Sequence, residues 1–335
     1  MFSLSESTRV FHSISVSSIY FSRSLIMSRN IADVASNVML CSLSVSAWKA
    51  RKFDDQITAE VDRTHKVADA GRYNKRLLLR GAESYNEVTR IEGEMRRYWE
   101  KFTLYYRQDA VRLLPTLMYM DFVEELRRLR EKFDSAVKVF LTDYPNLMEA
   151  ARTSETLGPL FREEDYPTDT QLRLKFGVRL TILPFPNAEQ FGVSLPEDVL
   201  TALKSDIDKH VEFSIKAANR DIVGRLYEAV SKLASTLYVN ESPRLDVANN
   251  VRALCELLAK LNFSGDPELN RILDEAQRHL GSLSGAHLKD SPYLRSQAAA
   301  KASEIESMMA AFMGSTPAPV YTAAPVATPQ LRLVA

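Results

Sequence analysis

Three groups of residues carry enough charge or aromatic surface to do chemistry. The first is Glu163-Glu164-Asp165, the densest acidic run in the chain. Adjacent carboxylates suit a hard cation. A solvated loop ahead of Tyr166-Pro167 is the competing expectation, and the preferred one. The second group is a helical face bearing Arg127, Arg128, Arg130 and Lys132. Guanidinium groups in a row suit phosphates. Glu124, Glu125 and Glu131 are interleaved with them, at spacings that favour pairing along the helix instead. The third group is Tyr98, Trp99, Tyr105, Tyr106 and Arg107. Rings beside a cation can stack on the bases of a single strand. Packing against a small sheet is the alternative, and it is preferred.

Other chemistry finds little to work with. None of the five histidines stands at zinc-ligand spacing from a cysteine. His279 and His287 flank a turn and could share a metal, but no third ligand accompanies them. The 11 glycines form no phosphate-cradling loop of the nucleotide-binding types. No G-x-S-x-G nucleophile elbow is present. No catalytic residue, cofactor or metal is therefore expected.

The elements that must position these groups follow from composition and periodicity. The chain has 335 residues, enough for two domains. Lysine plus arginine number 43, as do aspartate plus glutamate, so no global field draws it to nucleic acid or an anionic membrane. No apolar run approaches the ~20 residues of a membrane span. Cys41 and Cys255 lie far apart on faces expected to be buried, as reduced core thiols would.

The stretch Leu157 to Pro186 changes character most often. Leu157-Gly158 leads to the acidic run, and Asp165-Tyr166-Pro167 forces an extended backbone before the proline. Thr168 and Gln171 are spaced as a capping box. Leu172 and Phe176 share a face of the short helix that follows, and Gly177 can end it. Val178, Leu180 and Ile182 then alternate with Arg179, Thr181 and Leu183, as in a half-buried strand. Pro184 and Pro186 stop it. One continuous strand from Leu172 to Leu183 is the alternative. The best pairing partner is Cys41 to Ala47, where Cys41, Leu43, Val45 and Ala47 alternate with serines. Phe102 to Tyr106 and Phe191 to Leu195 are lesser candidates.

Helical spacing fills most of the rest. Asn30 to Leu40 reads as a lead-in helix. Helical text resumes at Lys49, breaks near Gly71, and predicts a long helix from about Tyr73 to Trp99 with the stripe Tyr85, Val88, Ile91, Met95, Tyr98 and Phe102. Arg112-Leu113-Leu114-Pro115 reads as the end of one segment and the start of a helix striped by Val123, Leu126, Leu129, Phe133, Ala136 and Phe140. Asp143-Tyr144-Pro145 should break that helix. Pro196 opens a helix reaching about Tyr238. Ser242-Pro243, Asp266-Pro267 and Ser291-Pro292 each predict a capped helix start.

The expected fold class is mainly α with a small antiparallel β-sheet, with long helices and a C-terminal helical bundle. The expected organisation is a non-native or disordered leader (1–27), an α+β core (28–195), a helical bundle (196–313) and a disordered proline- and alanine-rich tail (314–335). The serine-rich leader could be transit-like. Translation from an upstream start, with Met27 as the natural first residue, is preferred.

Trp48-Lys49-Ala50-Arg51-Lys52, Arg112-Leu113-Leu114-Pro115, Tyr144-Pro145, Leu157-Gly158, Phe161, Asp165-Tyr166-Pro167 and Leu183-Pro184-Phe185-Pro186 occur in order. Together they resemble the landmarks of a phage- and prophage-associated family of unknown function, over roughly Leu40 to Leu195. The family places a glycine ahead of Arg112-Leu-Leu-Pro; here Asp109-Ala110-Val111 stands there. The resemblance implies proximity to a chelatase-type AAA+ ATPase and a von Willebrand A-domain protein, hence a partner and no activity. The functional expectation is a non-enzymatic phage accessory protein in the cytoplasm of a bacterial host, a scaffold or adaptor that forms a homo-oligomer and has no membrane role. The alternative is a binder of single-stranded nucleic acid in phage DNA metabolism.

Overall fold

The structure, a computed structural model, describes residues 33–106, 110–239, 245–283, 288 and 291–314. The leader, most of the tail, Arg107, Ser242-Pro243 and His287 lie outside the described residues. The chain divides into two compact units, Met1–Ile215 and Lys216–Ala335. Among the described residues no helix is long and apolar enough to cross a membrane. The fold is α+β: mainly helical, with one four-stranded antiparallel sheet and one two-stranded ribbon.

In the first unit, strand β1 (Val38–Ser46) is central. It pairs antiparallel with β6 (Gly177–Pro184) from Met39↔Pro184 to Ser46↔Gly177. On its other side it pairs with β5 (Val111–Pro115), from Val38↔Pro115 to Ser42↔Val111. The short β4 (Leu104–Tyr105) completes the order β4-β5-β1-β6. Cys41, Leu43 and Val45 are buried while Ser44 and Ser46 are exposed, the period of two that the serine alternation predicts. β5 corrects an expectation, because Arg112 to Pro115 forms a strand rather than a helix start. Leu113 and Leu114 are both fully buried, so the segment shows no alternation to betray it. Phe191 to Leu195 forms no strand.

Helices α2 (Glu83–Phe102) and α3 (Tyr119–Thr153) pack on each other, and α2 also packs on β1. Their stripes supply Met95, Phe122, Leu129, Phe133 and Phe140, all essentially inaccessible. A predicted break fails here too, for α3 continues through Pro145 to Thr153. A proline removes one ladder hydrogen bond, but tertiary anchoring overrides it. Tyr144 lies 5.7 Å from Trp48 and 5.9 Å from Phe140, and its hydroxyl donates to the Pro167 carbonyl at 3.0 Å.

The region before α2 differs most from expectation. Instead of continuous helix from Tyr73, β2 (Arg51–Phe53) and β3 (Asn74–Arg76) form an antiparallel ribbon, joined through helix α1 (Asp55–His65). Strands of three residues are too short to show a period. Ahead of β1, among the described residues, 33–36 are helical and Val38–Leu40 of the expected lead-in helix belong to the strand instead. The capping box at Thr168 and Gln171 is present and starts α4 (Asp169–Arg173). Leu172 is buried; the helix closes before Phe176, whose ring sits 5.7 Å from Phe140.

The second unit is helical. Helix α5 (Glu197–Val239) contains the division between the units and runs unbroken through Gly224. It is followed by α6 (Leu245–Leu261), α7 (Pro267–Ala276) and α8 (Pro292–Met313). Asp266 and Ser291 cap α7 and α8 as expected. α7 continues into a π-helical turn over Gln277–Gly281 that packs with α6 and α8. Arg252 of α6 donates to the carbonyls of Gly281 and Leu283, satisfying acceptors at its end.

Candidate functional site

Two clusters in the first unit stand out, and they share one ribbon. The first is a buried clasp around Lys75. Along β3 the side chains alternate, so Lys75 points opposite to Asn74 and Arg76. It is 3% exposed. Its ammonium lies 2.6 Å from Asp165 Oδ2 and 3.2 Å from Asp54 Oδ2, and donates to the Leu160 carbonyl at 2.8 Å. Asp165 Oδ2 has no partner within hydrogen-bonding angles, so that close contact is chiefly electrostatic. Asp54 also caps α1, accepting from the Ile57 N–H at 3.1 Å. That bond, ahead of Lys75 and Arg162, holds its carboxyl below the usual value against the opposing pull of burial.

The clasp extends along the chain. Tyr166 donates to the Leu77 carbonyl at 2.7 Å, and the carbonyl of Pro167 accepts from Tyr144. Burial pushes both phenols up to about 12. Asp165, Tyr166 and Pro167 are thus held in succession by the ribbon and by α3. Of the predicted acidic run, Asp165 turns inward, Glu163 pairs with Arg152 at 3.3 Å, and Glu164 stays exposed. Among the described residues no three metal-ligating side chains gather. Two acids around one lysine form a structural lock, because a buried charge is tolerated only when paired. Leu157 is buried beside it in sequence, and Gly158 takes φ +45°, a left-handed conformation suited to glycine. Pro184 ends β6; Pro186 follows the buried Phe185.

The second cluster is the outward face of the same ribbon. Arg51 stands opposite Arg76, and Phe53 opposite Asn74, so all four share one face. All four are exposed. Arg72 places its guanidinium 5.8 Å from the centre of the Phe53 ring. Sequence reasoning missed this face, since a helical assignment scatters these residues. The available signal was Arg51-Lys52-Phe53 and Arg72-Tyr73-Asn74-Lys75-Arg76, two basic runs with an aromatic residue in each.

The described members of the predicted aromatic-basic group, Tyr98, Trp99, Tyr105 and Tyr106, are all at least half-buried. Trp99 is buried, its indole beside Cys41 and its ring 5.6 Å from the Arg112 guanidinium. Burial pushes the Cys41 thiol up to about 11, the indole and Arg112 opposing it. Tyr106 is buried too, its ring 5.9 Å from Phe185 and its hydroxyl 3.3 Å from His210 Nε2. Tyr105 is half-buried. Trp99 packs against the sheet, at Cys41 and Arg112, whereas Tyr106 packs beyond it, on Phe185 and His210. On α3, Arg127 pairs with Glu131 at 2.7 Å, Arg128 pairs with Glu125, and Arg130 lies 3.8 Å from Asp134.

Comparison with protein-family models, with curated proteins and with solved structures finds no match in any of the three.

Proposed function

We propose that this chain is a non-enzymatic phage accessory protein, a scaffold or adaptor that works in the host cytoplasm by pairing with a second copy of itself. The observation that supports this best is the outer edge of the four-stranded sheet. β6 is the terminal strand among the described residues, and an unpaired edge is a template for another strand. Leu174 just before it is 83% exposed and Leu183 within it 53%. An antiparallel pairing of β6 with its own copy, centred on Leu180, is self-complementary. Val178 then faces Ile182, and Arg179 faces Thr181 rather than another arginine. A remodelling AAA+ ATPase is the further partner, drawn from the family resemblance.

Light scattering after size exclusion of the full chain tests the reading. The wild type should elute as a dimer or larger species, and Leu174→Lys with Leu183→Lys should elute as a monomer of unchanged helicity. A monomeric wild type would overturn it.

A further inference from the structure

We propose that the outward face of the β2–β3 ribbon binds the phosphodiester backbone of single-stranded nucleic acid. This goes beyond the assembly reading and uses a different surface. The segment from Lys49 to Arg80 holds nine lysines and arginines against five acids, although the whole chain is neutral. Two of its acids are engaged elsewhere, while Asp55, Glu60 and Asp69 lie outside the two strands. Asp54 belongs to the buried clasp, and Asp62 accepts from the Asp69 backbone at 3.2 Å. Arg51, Arg72 and Arg76 are exposed, and none pairs with a carboxylate among the described residues; Lys52, also exposed, opposes Lys75 and so belongs to the other face.

The register makes this a built surface. Arg51 directly opposes Arg76, a like-charge pairing that weakens a ribbon on its own. Two guanidiniums held side by side form a fork for anionic oxygens. Phe53 lies on the same face, 41% exposed, with Arg72 beside its ring. An exposed ring flanked by arginines offers a base a stacking platform and its phosphates their counter-charges. Phe53 is the one large apolar side chain on the two strands, with Tyr73 just ahead of β3, too little apolar surface on this face to enter a bilayer. Lys75, locked on the inner face, keeps the outer face from reorganising when ligand arrives.

Fluorescence anisotropy with the full chain and a labelled oligothymidylate tests the proposal. The wild type should bind, with affinity falling as salt rises. Arg51→Ala with Arg76→Ala should weaken binding by about tenfold or more and flatten the salt slope by about 1.4, for two phosphates released. Phe53→Ala should weaken it by about tenfold with the slope unchanged, the mark of stacking. Arg127→Ala with Arg130→Ala on α3 should change neither. All these side chains are exposed, so melting should be preserved. A wild type that does not bind, a ribbon double variant that binds as well as wild type, or loss confined to the α3 variant would each overturn the proposal. So would tighter binding to duplex of the same length, or equal retention on phosphatidylserine vesicles.

Discussion

The α3 face and the β2–β3 ribbon are both rich in arginine, and they handle the charge in opposite ways. On α3 each arginine finds an acid three or four residues away, because the helix repeat brings those positions together. On the ribbon the neighbour of Arg51 is fixed by strand register, and it is Arg76. Helical charge can be neutralised by local sequence. Strand charge depends on a residue far along the chain, so an unpaired cluster there is a property of the fold. The ribbon's two faces sharpen the point: Lys75, buried on the inner face, has two carboxylates, and among the described residues Arg51 and Arg76 on the outer face have none.

The contrast can be broken most severely from inside. Lys75→Met should destabilise the first unit by about 3–5 kcal/mol, since it leaves Asp54 and Asp165 buried without their cation. Urea unfolding followed by tryptophan fluorescence measures it, as Trp48 and Trp99 both lie in that unit. A loss below about 1 kcal/mol would show the clasp to be open to water.

Acid should act on the same clasp. The folded pKa of Asp54 is depressed below its ordinary 3.8. Its contribution is therefore present in full above that value, and is lost as pH falls through the lower folded value. The urea midpoint should fall on acidification in the window below about pH 4. A level midpoint across that window contradicts the assignment.

On the outer face, stability and binding should move in opposite directions. Arg76→Glu replaces a like-charge cross-strand pair with an attractive one and should stabilise the ribbon by about 0.5 kcal/mol. Oligonucleotide binding should be lost in the same variant. Stability and affinity falling together would mean that Arg76 has an undetected structural task. The smallest effect belongs to α3. Arg127→Ala should cost about 0.3 kcal/mol, and less in high salt, because its pair with Glu131 is exposed.

Local signals carried much of this architecture. Serine alternation after Cys41 marked the central strand, and Thr168 with Gln171 marked the α4 cap. Asp266 and Ser291 marked two helix starts. What stayed hidden was set by distance. β5 is covered on both faces, so Leu113-Leu114 reads as a generic apolar run. The ribbon strands are shorter than any period. Pro145 would break an isolated helix, and α3 continues through it where Tyr144 is anchored by Trp48, Phe140 and the Pro167 carbonyl. The acidic run was visible as charge, but its role depends on Lys75, whose other acceptor, Leu160, is 85 residues away in sequence. The fold class was therefore readable, while both candidate clusters needed the strand register.

The two cysteines have a use that follows from their placement. Cys41 lies in the first unit and Cys255 in the second, each buried, and burial pushes both thiols up to about 11. Neither can react quickly with a thiol-trapping reagent until its own surroundings open. Mass spectrometry of peptides from a timed alkylation would yield two separate opening rates from one sample of unaltered protein. The chain thus carries an internal stopwatch for each half, without a label or a mutation.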